Sequence, residues 1–123
     1  MTTQQVADRL VALCREGKNV QALDELYSPD IVSIEPFGDE TMPAEIKGIA
    51  AVRAKTDWWY ASFEWHGGSV DGPLVSDAHF AARFSMDVTE RKTGQRSQMV
   101  ELAVYEVKDG KIVSERFSYR MGA

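Results

Sequence analysis

The hydrophobic period of this chain changes once, at Phe63, and that change restricts the fold more than any other feature. Before it, apolar residues recur at three- and four-residue spacing; after it, they alternate. Thr3 to Arg15 reads as a helix, with Val6, Leu10, Leu13 and Cys14 on one stripe and Thr2 or Thr3 able to cap its start. Gly17 supplies the C-terminal position that tolerates positive φ. Asn19 can cap a short second helix carrying Val20, Leu23 and Leu26, which Ser28-Pro29-Asp30 stops. Ile31 to Glu35 is a β-branched strand, and Asp39 to Lys47 reads as a loop. Gly48 to Phe63 is a third helix with the stripe Ile49, Val52, Thr56, Trp59 and Phe63.

Strand patterns follow. Glu64 to Val75 is broken by Gly67, Gly68, Gly72 and Pro73, which predicts bulges. Asp77 to Thr89, Gln95 to Lys108 and Lys111 to Tyr119 are longer strands, the last two joined by the hairpin pair Asp109-Gly110. Helices first and a meander after describe an α+β layer, in which three N-terminal helices cover one face of an antiparallel sheet.

Composition sets the outer limits. With 123 residues the chain suits one domain, residues 1–123, able to bury a core without disulfides or metal. A net charge of −5 argues against nucleic acid, because phosphate contacts need a basic surface. The longest apolar run, Gly48 to Val52, is too short to span a bilayer, and the start lacks a signal-peptide pattern, so the expected location is cytoplasmic with no membrane partner. Cys14 stands alone, and His66 and His79 lack metal-ligand spacing. GxGxxG, P-loop, GxSxG and HExxH patterns are all missing, and the expectation is that no cofactor is used.

The segment LYSPDIVSIEPFG, followed by KGIAAVRA and later by VKDGKIVSERF, resembles the nuclear transport factor two-like superfamily, of the ketosteroid isomerase-like or SnoaL-like type. The order of elements matches over essentially the whole chain. The resemblance implies a cone-shaped half-barrel with a strongly curved sheet, a small-molecule pocket between helices and sheet, and a homodimer formed across the outer sheet face. It places Glu35 where those isomerases hold a catalytic base, and Glu101 within one residue of their proton-donating carboxyl. Leu10 and Thr56 stand where the isomerases carry two tyrosines, so the resemblance does not extend to steroid isomerisation.

Each candidate has two readings. Glu35 is a pocket base, provided burial lifts its pKa toward the working pH, or else a surface glutamate. Glu101 faces the pocket if Val100, Leu102 and Val104 face outward; it is then an acid or one half of a salt bridge with an arginine. In strand 77–89, His79, Arg83, Ser85 and Asp87 share one face and Phe80, Phe84, Met86 and Val88 the other. An inward polar face would let Arg83 grip a ligand or neutralise Glu101; an outward one leaves a charge ladder. Trp59, Phe117 and Tyr119 are expected to line the ligand site, with core packing as the alternative. Three functions remain open: a cofactor-free isomerase, dehydratase or cyclase acting on a small apolar carbonyl compound, a binding protein, or a dimeric module whose pocket is vestigial.

Overall fold

The computed structural model describes residues 1–120. Helix α1 (Thr3–Arg15) starts with a reciprocal cap: the Thr2 hydroxyl accepts from Gln5 N at 3.1 Å, and Thr2 N donates to Gln5 Oε1 at 2.9 Å. Gly17 follows it at φ +73°. Helix α2 (Asn19–Leu26) is preceded by Lys18 and has no side-chain cap, so Asn19 is its first residue and not its cap. Strand β1 (Tyr27–Ile34) begins four residues earlier than the β-branched run indicates, running through Pro29. A short β2 (Glu45–Lys47) lies within the stretch read as loop. Helix α3 (Ile49–Ser62) begins after Gly48, which sits at φ +91°. Then come β3 (Phe63–Ser76), β4 (His79–Glu90), β5 (Arg96–Lys108) and β6 (Lys111–Ser118).

The six strands form one open sheet in the order β2-β1-β6-β5-β4-β3. Every pairing is antiparallel except β1 with β6, which is parallel, so the sheet is mixed and not wholly antiparallel. Strand β6 reaches β1 at the end of the β3-β4-β5-β6 meander, and the direction of that last strand makes the pairing parallel. The register of β3 against β4 shifts between Trp65 and Gly67 and again between Asp71 and Leu74, at the glycine- and proline-bearing positions. Bulges at those points bend the strand and raise its twist. The result is the cone-shaped α+β architecture, with helices filling part of the concave face.

The core lies between that face and the helices. Val6, Leu10 and Leu13 of α1, Leu23 and Leu26 of α2 and Val52 of α3 pack with Ile31, Phe80, Tyr105 and Ile112 of the sheet. Phe80 and Tyr105 are cross-strand partners whose rings stack at 4.6 Å between centroids. This pairing settles the face of β4: Phe80, Ala82, Phe84 and Met86 point inward, and Arg83 points outward. Across β5, Ala103, Tyr105 and Val107 are buried, while Val100, Leu102 and Val104 are 57%, 46% and 38% exposed on the convex side.

Candidate functional site

The helices do not fill the cone, and a cavity of about 1760 Å³ remains beneath α1 and α3. Trp58, Trp59, Phe63 and Phe84 are among the aromatic residues lining it, with Met86 and Met99 beside them. Trp59 is half-buried and stacks on Phe63 at 5.2 Å; Trp58 is 51% exposed and meets Phe63 edge-on at 6.4 Å. Neither tryptophan joins the central core.

The polar end of the cavity is assembled from four elements. Glu35 directly follows β1 and lines the cavity; its side chain is 22% exposed, and its Oε2 is buried with no hydrogen-bond partner. Lys55 projects from α3 with a side chain 13% exposed, its Nζ 3.5 Å from Glu35 Oε1 and 2.6 Å from Ser33 Oγ. The same ammonium lies 5.0 Å from the centroid of the Phe117 ring. Ser33 Oγ donates to Glu115 Oε2 at 2.7 Å, and the Tyr27 hydroxyl donates to Glu115 Oε1. One chain of buried hydrogen bonds therefore runs from α3 through β1 to β6.

Glu101 lies on the inner face of β5, directly opposite Phe84. Its pKa is pushed up to about 7, first by burial and then by the Glu35 charge, with Lys55 opposing and Glu115 adding. Glu115 is also raised above the ordinary carboxyl value by burial, against the pull of Lys55, Tyr27 and Ser33. Tyr119 lines the cavity beside Phe37, ring centroids 5.3 Å apart, and its phenol is pushed up to about 12 by burial and by the charges of Glu35 and Glu101. At the inner end, burial raises Cys14 to about 12 and holds Tyr27 and Tyr105 well above the usual phenol value. An acidic group poised near neutrality beside a second carboxylate, in an aromatic cavity, is suited to moving protons on an apolar guest.

Of the residues singled out from sequence, Glu35, Glu101, Trp59, Phe117 and Tyr119 all line this cavity. Arg83 does not, and its assignment as a ligand-binding residue is corrected. It lies on the convex face, opposite Leu102, with its guanidinium 2.6 Å from Asp71. The alternation of β4 allows only one inward set, and burying Phe80 and Phe84 is worth more than burying Arg83. The cation that faces Glu35 is instead Lys55. His66 contacts the Thr89 hydroxyl at 2.6 Å and does not line the cavity. Sequence reasoning also left out Ser33 and Tyr27, and gave Glu115 no role beyond its place on the last strand. A signal existed for Lys55, which stands three residues after Val52 and four before Trp59, on the face read as core.

An open, helix-covered cone that encloses a cavity is the nuclear transport factor two-like fold. A family model described as SnoaL-like domain matches residues 1–119, and the chain belongs to that family. Among solved structures, a candidate SnoaL-like polyketide cyclase of Mesorhizobium loti, also labelled carbohydrate phosphatase, is 41% identical. It covers 97% of this chain and 100% of that one, at TM-score 0.91. IdmH, a candidate polyketide cyclase of Streptomyces antibioticus, is 22% identical at TM-score 0.74, covering 96% of this chain and 91% of its own. A candidate isomerase of Bacillus subtilis is 22% identical at TM-score 0.75, with 98% and 90% covered. These last two share the fold. No curated protein matches the chain. Among the described residues no helix is long and apolar enough to cross a membrane.

Proposed function

We propose that this protein is a cofactor-free isomerase, dehydratase or cyclase that shifts a proton on a small, mainly apolar carbonyl compound. Glu35 is the general base and Glu101 the general acid. The observation that carries this reading is the buried, unpartnered Glu35 Oε2 lining an aromatic cavity together with a carboxyl raised to about 7. A carboxylate oxygen deprived of donors is free to take a proton, and a neighbour that holds its proton near neutrality is able to return one. The polyketide cyclase and isomerase descriptions of the similar structures fit this chemistry. The phosphatase label fits it poorly, because a phosphate dianion at the polar end would meet Glu35, Glu101 and Glu115 with Lys55 as the buried cation to balance them.

The test uses simple cyclic ketones in deuterated water, with exchange at the carbon beside the carbonyl followed by proton NMR. Catalysed exchange supports the enzyme reading. Tight binding without exchange supports the second reading, a protein that holds a small ligand without turnover, which the apolar Leu10 in the cavity wall favours.

The assembly expected for such a pocket protein is a homodimer. Val100, Leu102 and Val104 make an apolar stripe on the convex face that no helix covers, flanked by the Arg83–Asp71 and Arg96–Asp87 pairs. Sedimentation at micromolar concentration is expected to give twice the mass of one chain, and Leu102→Glu is expected to halve it. A monomeric wild type would remove the dimer from this reading.

A further inference from the structure

We propose that the Lys55 ammonium is the electrophile of this site, donating a hydrogen bond to the substrate oxygen on which negative charge develops. This deepens the proton-transfer reading by naming the group that receives the substrate's carbonyl. It also narrows the ligand class to apolar molecules bearing an enolisable carbonyl or an acidic enol or phenol.

Several donors in and around the cavity are already committed elsewhere. The Ser33 and Tyr27 hydroxyls are both given to Glu115, and the Thr56 hydroxyl is given to the Val52 carbonyl at 3.1 Å. Arg15 lines the cavity but donates to the carbonyls of Val70, at 2.9 Å, and Gly72, at 3.4 Å. Arg120, the other lining guanidinium, is exposed. Lys55 is thus the buried cation of the cavity. Its ammonium has three N–H donors. Ser33 Oγ takes one at 2.6 Å, and Glu35 Oε1 holds another only loosely at 3.5 Å. The remaining capacity adjoins the Phe117 ring, which offers a π face and no lone pair.

Position matters as much as supply. A carbonyl oxygen and the carbon that loses its proton are two bonds apart, so a base and its matching donor must be neighbours. Glu35 provides this: Oε1 faces Lys55 and Oε2 has no partner. The bond changes then balance without any further reactant. Glu35 Oε2 takes the proton, the C–H electron pair becomes the new C=C bond, and the carbonyl π pair moves onto oxygen, where the Lys55 N–H meets it. Return of the proton from protonated Glu35 or Glu101 to the same carbon restores the C=O with its hydrogen exchanged. Where the substrate is β,γ-unsaturated the enolate is a dienolate, and delivery to its γ-carbon restores the C=O and releases the conjugated isomer. A fixed ammonium in a cavity of low polarity stabilises that oxyanion without reorganising, which is where such donors are most effective. The Ser33–Glu115–Tyr27 chain holds the ammonium in place.

The experiment uses 4-nitrophenol, whose ionised and neutral forms absorb at different wavelengths. It is titrated against the purified chain at millimolar concentration and at several pH values. When the bound phenol passes its proton to a site carboxylate, it reproduces the charge arrangement of the enolate. In the wild type the bound phenol is expected to ionise roughly tenfold more readily than in water, a shift of about one pKa unit. Lys55→Met and Lys55→Gln should abolish the shift, Lys55→Arg should keep part of it, and Tyr119→Phe should leave most of it. Two neutral variants are included because one of them could fail to fold; circular dichroism sorts them. An equal shift in either folded neutral variant overturns the proposal. So does a shift that Tyr119→Phe removes and Lys55→Gln does not, and so does failure of the wild type to bind the phenol. A Lys55-dependent shift in a protein that catalyses no ketone exchange upholds the subsite while rejecting proton transfer as its use.

Discussion

Replacing Glu35 with glutamine is expected to lower ketone hydrogen exchange by roughly a hundredfold or more, the usual scale of a general base. That corresponds to about 2.7 kcal/mol of lost transition-state stabilisation. The expectation rests on what the substitution keeps and what it removes. Glutamine has nearly the same shape, and an amide oxygen at the Oε1 position still accepts from Lys55. The Oε2 position becomes an NH2 group, which cannot accept a proton. The fold should survive, because no residue of the hydrophobic core depends on Glu35, and the chain of bonds from Lys55 through Ser33 to Glu115 does not pass through it. Affinity for a neutral ketone should change little. A variant that exchanges ketone protons as fast as the wild type would show that another group is the base, with Glu101 the first to examine.

How far the sequence discloses this site depends on the distance over which its parts communicate. Helix and strand type were legible because a period of 3.6 or 2 is written locally, as at Val6-Leu10-Leu13 and at Val100-Leu102-Val104. The inward face of β5 could be read because its two faces differ at mid-strand: one carries the aliphatic run Val100, Leu102 and Val104 and the other carries Glu101. Strand β4 could not be read this way, since each of its faces makes chemical sense as an interior. Only the stacking of Phe80 on Tyr105, a cross-strand fact, decides it. Strand β6 adds a different difficulty. A register shift between Glu106 and Val107 interrupts its pairing around Val113, so Ile112 and Glu115 both face inward although they are three residues apart. Simple alternation would put Val113 on the face of Glu115, and the bulge removes it from that face.

The polar chain was the least legible part. Ser33 and Glu115 are separated by 82 positions and Tyr27 and Glu115 by 88, and nothing near either end of those pairs announces the other. Lys55 is an instructive middle case. Its spacing from Val52 and Trp59 assigns it to the buried face, but a lysine at such a place is ordinarily read as reaching for water. What holds it inward is the Ser33–Glu115 pair together with Glu35. The sequence therefore reveals the acids of the site singly. The structure shows that they are grouped around one cation.

That grouping has a measurable consequence at Glu101, where substitution by glutamine is expected to stabilise the protein at neutral and higher pH. In the native state the Glu101 carboxyl is held at about 7, against an ordinary value of 4.5, chiefly by burial and by the Glu35 charge. The sign follows from which state releases its proton first. Below 4.5 both native and unfolded chains hold it, and Glu101 costs nothing. Between 4.5 and 7 the unfolded chain ionises while the native one resists, so native stability falls as pH rises. Above 7 both are ionised and the penalty is constant. At about 1.4 kcal/mol per pKa unit the full penalty has a ceiling of about 3 kcal/mol. Glutamine has no charge to bury, so Glu101→Gln should match the wild type near pH 4 and exceed it increasingly up to about pH 8, by as much as roughly 1.5 M in urea midpoint if the slope is about 2 kcal/mol/M. Glu115, also raised, is present in both chains and contributes similarly to each, so the difference between them isolates Glu101. Equal midpoints across this pH range, or a variant weaker at every pH, would mean that Glu101 carries no buried charge, and its role as the proton donor would lose its physical basis. A gain in stability accompanied by lost exchange activity is the expected result, because the penalty that Glu101 imposes on the fold is what keeps its proton available to the substrate.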